Sequence, residues 1–324
     1  MPTDGTSSRK TARFDFNKAA QAIVADHPQL KNDTVFIDLT SGERHGPLLA
    51  RVKARLSKAF RKVLARPIKR AARSPNGTAS AIRGTGGLNA LVMTTGRRFN
   101  LFADPAQDAA FAFYHEAAHL VVPSAAPNEA NQSLYFGKLF GYPYSKAEGA
   151  ADGYAALRLL QQDAGTDLTR ATVMRATDVI HQDAPEYMTV FMLDAITRDA
   201  ALLTKLNPAE TIAAVERYAA RYTPARAELD LMRADVAPLK GRLGLVTRDN
   251  LAPLRELADI ALDPNSSALT FYAANRVLGA FMGRLLTGPE WAETARKLHA
   301  MEKIITLDAL FPQKLAQDSR LLAA

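Results

Sequence analysis

The sequence predicts an α+β fold, mostly α, in which a small N-terminal sheet leads into a buried helix and a long helical subdomain follows. Strand-like runs are confined to the first third of the chain, at Thr34–Leu39 and Asn89–Met93. A helix that is apolar nearly all round follows at 105–122. Beyond Ser145 almost every stretch repeats apolar residues at helical spacing. With 324 residues, 48% of them hydrophobic, the chain can bury a full core as one large domain or two subdomains.

The first 33 residues are expected to be flexible or irregular, since Met1 to Arg13 is polar and carries no apolar leader segment. With no export signal a bacterial-type cytoplasm is the expected location, and a dedicated secretion machine is the alternative. No run of about 18 apolar residues exists, so no transmembrane span is expected. The absence of cysteine excludes disulfides and thiolate metal ligands.

Residues 34–123 read as a mixed subdomain. Its basic helix, 51–66, has an apolar stripe of Val52, Leu56, Phe60, Val63 and Leu64 and ends at Pro67. Arg51 to Arg73 holds ten Lys and Arg and no acid, and without it the formal charge falls from +8 to −2. Such a helix either contacts polyanions or presents a solvated basic face while packing on its own domain. Ser74 to Gly87 reads as a flexible loop, and Gly84-Thr85-Gly86-Gly87 lacks the lysine–serine pair and helix start of a phosphate loop. After Asn89–Met93, the turn Thr95-Gly96-Arg97 and the alternating Arg98–Phe102 fit a hairpin partner.

The helix at 105–122 opens with Asp104-Pro105-Ala106-Gln107, which combines an acidic N-cap, a proline at the first helical position and a capping-box glutamine. Pro123 stops it. Within it stands His115-Glu116-Ala117-Ala118-His119, an H-E-x-x-H motif. Histidines four apart lie one above the other on a helix face, so both can reach a single ion. Glu116 is offset by one position, close enough to act on a water at that ion without being a ligand. Buried polar groups in such a helix need partners, which a metal supplies and backbone carbonyls would supply otherwise.

A second helix is expected to begin at Ser145 and to run through Tyr154, Leu157 and Leu160 towards Gly165, despite Gly149 and Gly153 inside it. Glu148 and Asp152 share a face of it. Ser145 and Glu148 also fit a capping box, in which the glutamate bonds back to the cap amide. Asp152 itself and Glu129, in the connection, are the other third-ligand candidates. That 22-residue connection, Pro123 to Tyr144, is aromatic and long enough to line a site.

H-E-x-x-H followed 29 residues after its last histidine by E-x-x-x-D resembles the gluzincin branch of the zinc metallopeptidases, the group containing thermolysin. The resemblance covers Asp104 to Leu157. It implies His115, His119 and Glu148 as ligands of one Zn2+ per chain, and Glu116 as general base. It also implies that Asp152 holds a ligand histidine by its other ring nitrogen. A zincin-like fold is implied with it, and so is hydrolysis of a peptide or protein substrate by a water at the zinc ion that Glu116 activates. An edge strand before the motif helix would pair with the extended substrate. A His2Glu set leaves a fourth position open, which suits catalysis rather than a closed structural site.

The helical subdomain, 124–324, is expected to wall the other side of a cleft and to hold the substrate. Helices are expected from Asn207-Pro208 onward and over about 226–238, 248–262, 267–286 and 290–304. His181 and Tyr187 are the nearest candidates for stabilising an oxyanion. Their plainer reading is a histidine at a helix C-terminus and a core tyrosine. The competing function class is a non-catalytic protein that binds nucleic acid, anionic membrane or a partner through 51–73. If that segment contacts polyanions, charge reversal at Arg61, Lys62, Lys69 and Arg70 abolishes heparin or anionic-liposome binding that falls steeply with salt in the parent. Weak, salt-independent binding in the parent would favour the solvated face.

Overall fold

The structure, a computed structural model, describes residues 14–40, 68, 79–83, 88–94, 104–126, 142–184 and 187–312. It is a mostly helical α+β chain with one three-stranded sheet among the described residues. Two compact units divide it, Met1–Glu116 and Ala117–Ala324. The division falls inside the motif helix rather than after it, and that helix runs unbroken from Pro105 to Val121.

In the first unit, α1 (Phe16–Asp26) starts where the Asp15 side chain accepts from the Lys18 amide at 3.0 Å, and it buries Phe16, Ala19, Ala20 and Ile23 on one face. The expectation of an irregular segment to residue 33 is therefore corrected from Asp15 onward. A single turn, α2 (Leu30–Asp33), leads into β1 (Thr34–Asp38). The other strands are β2 (Ala79–Arg83) and β3 (Asn89–Met93), in the order β1-β3-β2. β3 pairs parallel to β1, with Thr34 opposite Asn89, and antiparallel to β2, with Ala79 opposite Met93. Ala90, Leu91 and Val92 are fully buried, the continuous apolar run of a central strand covered on both faces.

β2 corrects a second expectation, because it lies within the stretch read as a flexible loop. Its Ala-Ser-Ala-Ile-Arg sequence is a poor strand former, and the ladder to β3 supplies what propensity does not. The basic helix 51–66, residues 84–87 and the hairpin partner 98–102 lie outside the described residues. Ile68, next to the basic helix, is fully buried.

The motif helix, α3 (Pro105–Val121), is capped as its sequence predicts, with the Asp104 carboxylate accepting from the Ala106 amide at 2.9 Å. Phe113 fastens it to the rest of the unit. Its ring lies 5.7, 5.5 and 6.3 Å from those of Phe14, Phe16 and Phe36, centroid to centroid.

The second unit is built of helices joined by turns. After a 3-10 turn at Pro123–Ala125 come α4 (Tyr142–Gln162), α5 (Thr169–Gln182), α6 (Val190–Arg198) and the short α7 (Ala200–Leu203). Then follow α8 (Pro208–Tyr222), α9 (Arg226–Val236), α10 (Ala252–Leu262), α11 (Ala268–Phe281), α12 (Pro289–Glu302) and α13 (Leu307–Leu310). These bear out the helical reading beyond Ser145, down to the Asn207–Glu210 capping box of α8. α4 is the central rod: Ala150, Ala151, Ala155, Ala156 and Leu157 are fully buried, and it packs on α6, α8 and the 3-10 turn. Among the described residues no helix is long and apolar enough to cross a membrane.

The two glycines of α4 face α6 unequally. A Cβ at Gly153 would run into the Met192 methyl and lie 3.1 Å from Met192 Sδ and 3.3 Å from Ile196 Cδ1, whereas one at Gly149 would meet only Met192 Sδ, at 3.8 Å. Gly149→Ala is expected to stabilise by up to about 1 kcal/mol through helix propensity. Gly153→Ala is expected to lose that gain to overpacking worth about 1–3 kcal/mol. Urea unfolding of the two variants checks the contrast, and equal behaviour would remove the close approach of α6 as the reason for Gly153.

Candidate metal centre

His115 and His119 stand one turn apart on α3 because that helix is unbroken from its cap at Asp104 to Val121. His115 is buried, 4% exposed, with its ring stacked on Phe111 at a centroid distance of 6.4 Å. His119 is partly exposed, and its Nδ1 lies 2.8 Å from the Ala125 carbonyl oxygen. A carbonyl only accepts, so Nδ1 carries the proton and Nε2 is left with its lone pair. Across from Nε2, at 3.9 Å, is Glu148 Oε1.

One ligand-capable atom from each of His115, His119 and Glu148 falls within 4.8 Å of the others, close enough to hold a metal ion. Two bonds of about 2.1 Å meeting at a tetrahedral angle put their ends about 3.4 Å apart, so the 3.9 Å pair is roughly 0.5 Å wider than a closed zinc site. The donors are two imidazoles and one carboxylate, a set that suits a divalent first-row transition metal. A lone pair facing a carboxylate oxygen at this distance is a pair of donors that one cation could bridge.

Glu148 reaches this position because α4 begins at Tyr142, earlier than the sequence indicates. Ser145 therefore lies inside the helix rather than ahead of it, and Glu148 falls in the second turn, past the positions a capping-box glutamate takes. The rival Glu129 belongs to residues 127–141, outside the described residues.

Glu116 lies about 100° round the helix from His115, given 3.6 residues per turn. Its Oε2 accepts from the Ala81 amide of β2 at 2.6 Å, while Oε1 has no hydrogen-bond partner among the described residues. The strand missed in the sequence thus fixes the carboxylate of the motif.

Asp152 meets partners that the sequence does not indicate. It is fully buried, and Arg175 of α5 donates to it twice, Nε to Oδ2 and Nη2 to Oδ1, each at 2.7 Å. The Thr189 hydroxyl donates to Oδ2 at 2.7 Å. For His119 the nitrogen that the resemblance gives to Asp152 is taken by Ala125. Burial disfavours the Arg175 charge, but the Asp152 carboxylate outweighs it and holds the guanidinium above its ordinary pKa. Burial pushes Asp178 up, with the Arg175 charge opposing.

Neither oxyanion candidate is among the residues drawn together at the triad. The Tyr187 ring lies beneath the Arg175 guanidinium, 4.6 Å from its Cζ to the ring centroid. His181 lies in the last turn of α5 and packs so tightly on Gly244 that a Cβ there would come 3.0 Å from its Cε1. No local pattern in the sequence marks Ala81, Ala125 or Arg175. Two of them act through the backbone, and the third lies on another helix.

The chain matches no protein-family model, no curated protein and no solved structure.

Glu148 and Asp152, one turn apart, should separate cleanly on substitution. Glu148→Ala should change unfolding free energy by no more than about 1 kcal/mol. Asp152→Asn removes the charge that answers buried Arg175 and should cost about 3 kcal/mol. Chemical denaturation measures both, and an Asp152→Asn protein as stable as the parent would refute the structural role of the pair.

Proposed function

We propose that the chain is a zinc-dependent peptidase of gluzincin type, with His115, His119 and Glu148 as ligands and Glu116 as general base. The observation that carries this is the His119 imidazole, proton fixed on Nδ1 by Ala125 and lone pair turned to Glu148 Oε1. That arrangement has a place for a cation and three donors around it. The zinc ion, when bound, polarises the scissile carbonyl and acidifies water.

The chain's own groups do the rest. The Ala81 amide holds one oxygen of Glu116, which orients the carboxylate and leaves Oε1 to take a proton from the attacking water. The same group then returns the proton to the leaving amine. Three protein donors leave one position open, as catalysis requires.

Purified protein is expected to hold about one zinc per chain, and Glu116→Gln should keep both zinc and fold. Hydrolysis of an unfolded protein or a mixed peptide library should fall by roughly 10²–10⁴-fold in that variant, the usual contribution of a general base. A metal-free, chelator-insensitive protein would remove the enzyme reading. Undiminished hydrolysis by Glu116→Gln would remove Glu116 from its role.

A further inference from the structure

We propose that Glu216, on α8, is a positioning residue for the metal centre that acts on His119 through the 3-10 turn Pro123–Ala125. The inference rests on the metal-site reading of His119.

The orienting carbonyl of His119 belongs to the last residue of that turn. A three-residue 3-10 piece has little stability of its own. Its internal bonds are Ala125 N–H to the Val122 carbonyl at 3.1 Å, and Ala126 N–H to the carbonyls of Val122 and Pro123 at 3.1 and 3.2 Å. Pro123 has no N–H, so the first amide the turn offers is that of Ser124, which has no acceptor inside the turn. Glu216 Oε1 accepts from it at 2.7 Å. The Ser124 hydroxyl is buried without a partner, so the bond that ties this residue down is its amide.

Glu216 is itself firmly placed. Ala214, Val215 and Ala219 beside it are fully buried, and Asn207 of the Asn207–Glu210 capping box lies more than two turns back, at the start of α8. α8 packs against both the 3-10 turn and α4, the helix of Glu148. One helix thus braces the third ligand's helix and, by a single carboxylate, the carbonyl that fixes the His119 tautomer. Without that carboxylate the turn loses its external acceptor, the Ala125 carbonyl shifts, and the imidazole is released to the other tautomer.

The test compares Glu216→Ala, Glu216→Gln and Glu216→Asp with the parent and with Asn207→Ala, which loosens α8 without touching the turn. Two readings are taken. Zinc affinity is measured against a competing chelator, and the His119 tautomer is read in the metal-free protein from imidazole nitrogen chemical shifts. Glu216→Ala is expected to weaken zinc binding about 10–100-fold, as losing a ligand's support does, and to turn one His119 tautomer into a mixture. Glu216→Gln keeps an acceptor at the same reach and should restore both. Glu216→Asp, one methylene short, should behave like Ala.

Asn207→Ala should lower the melting temperature and leave both readings at parental values. Unchanged readings in Glu216→Ala would overturn the proposal, and so would equal losses in Asn207→Ala. If Glu216→Ala does not fold, Gln and Asp decide, and a reversed order overturns it. A parent that binds no zinc refutes the metal reading, and the tautomer measurement then judges Glu216 separately.

Discussion

A helix buried by its own apolar residues allows no polar group to go unanswered, and the surroundings of α3 follow from that constraint. Leaving a buried one unpaired costs on the order of 1–3 kcal/mol, and Glu116 and His119 are only partly open to water. The Glu116 carboxylate is answered by a strand amide, and His119 Nδ1 by a carbonyl just beyond the helix end. Both partners are backbone, and their positions depend on elements that pack elsewhere: β2 on β3, and the 3-10 turn on α4 and α8. His119 Nε2 then faces Glu148 Oε1 at 3.9 Å, with His115 one turn back on the same helix.

Much of the fold was legible because helices announce their ends. Asp104, Asn207 and Ser267 cap where the sequence places helix starts, each accepting a backbone amide two or three residues on. The exceptions have physical causes. α1 has a cap at Asp15 and helical spacing of Phe16, Ala19, Ala20 and Ile23, but it directly follows a polar stretch that masks its start. β2 carries almost no strand propensity and exists through pairing, which no local pattern reveals. α4 gave its course but not its start.

The site was legible only as far as spacing reaches. The i,i+4 rule puts His115 with His119, and Glu148 on the same face as Asp152, since one helix fixes each pair. It says nothing of what the Asp152 carboxylate meets across a helix interface. Its partner, Arg175, lies 23 residues on, in α5. The resemblance implies that Asp152 supports a histidine, and the tertiary structure sets a buried guanidinium on the same carboxylate.

The parallel pairing of β1 with β3, with β2 antiparallel on the other side, has a consequence for how the chain assembles as it is synthesised. β2 and β3 are neighbours in sequence and can close as a hairpin early, whereas β1 must wait for β3 to emerge much later in the chain. A nascent chain that has emerged as far as Val121 already contains both histidines, Glu116 and the Ala81 amide that holds it. It lacks Glu148, the Ala125 carbonyl and α8. The carboxylate with its amide is therefore a product of the first unit alone, and the full set of donors arises only after the second has been made. A growing chain cannot bring all three donors together before α4 has emerged, nor brace the Ser124 amide before α8 has.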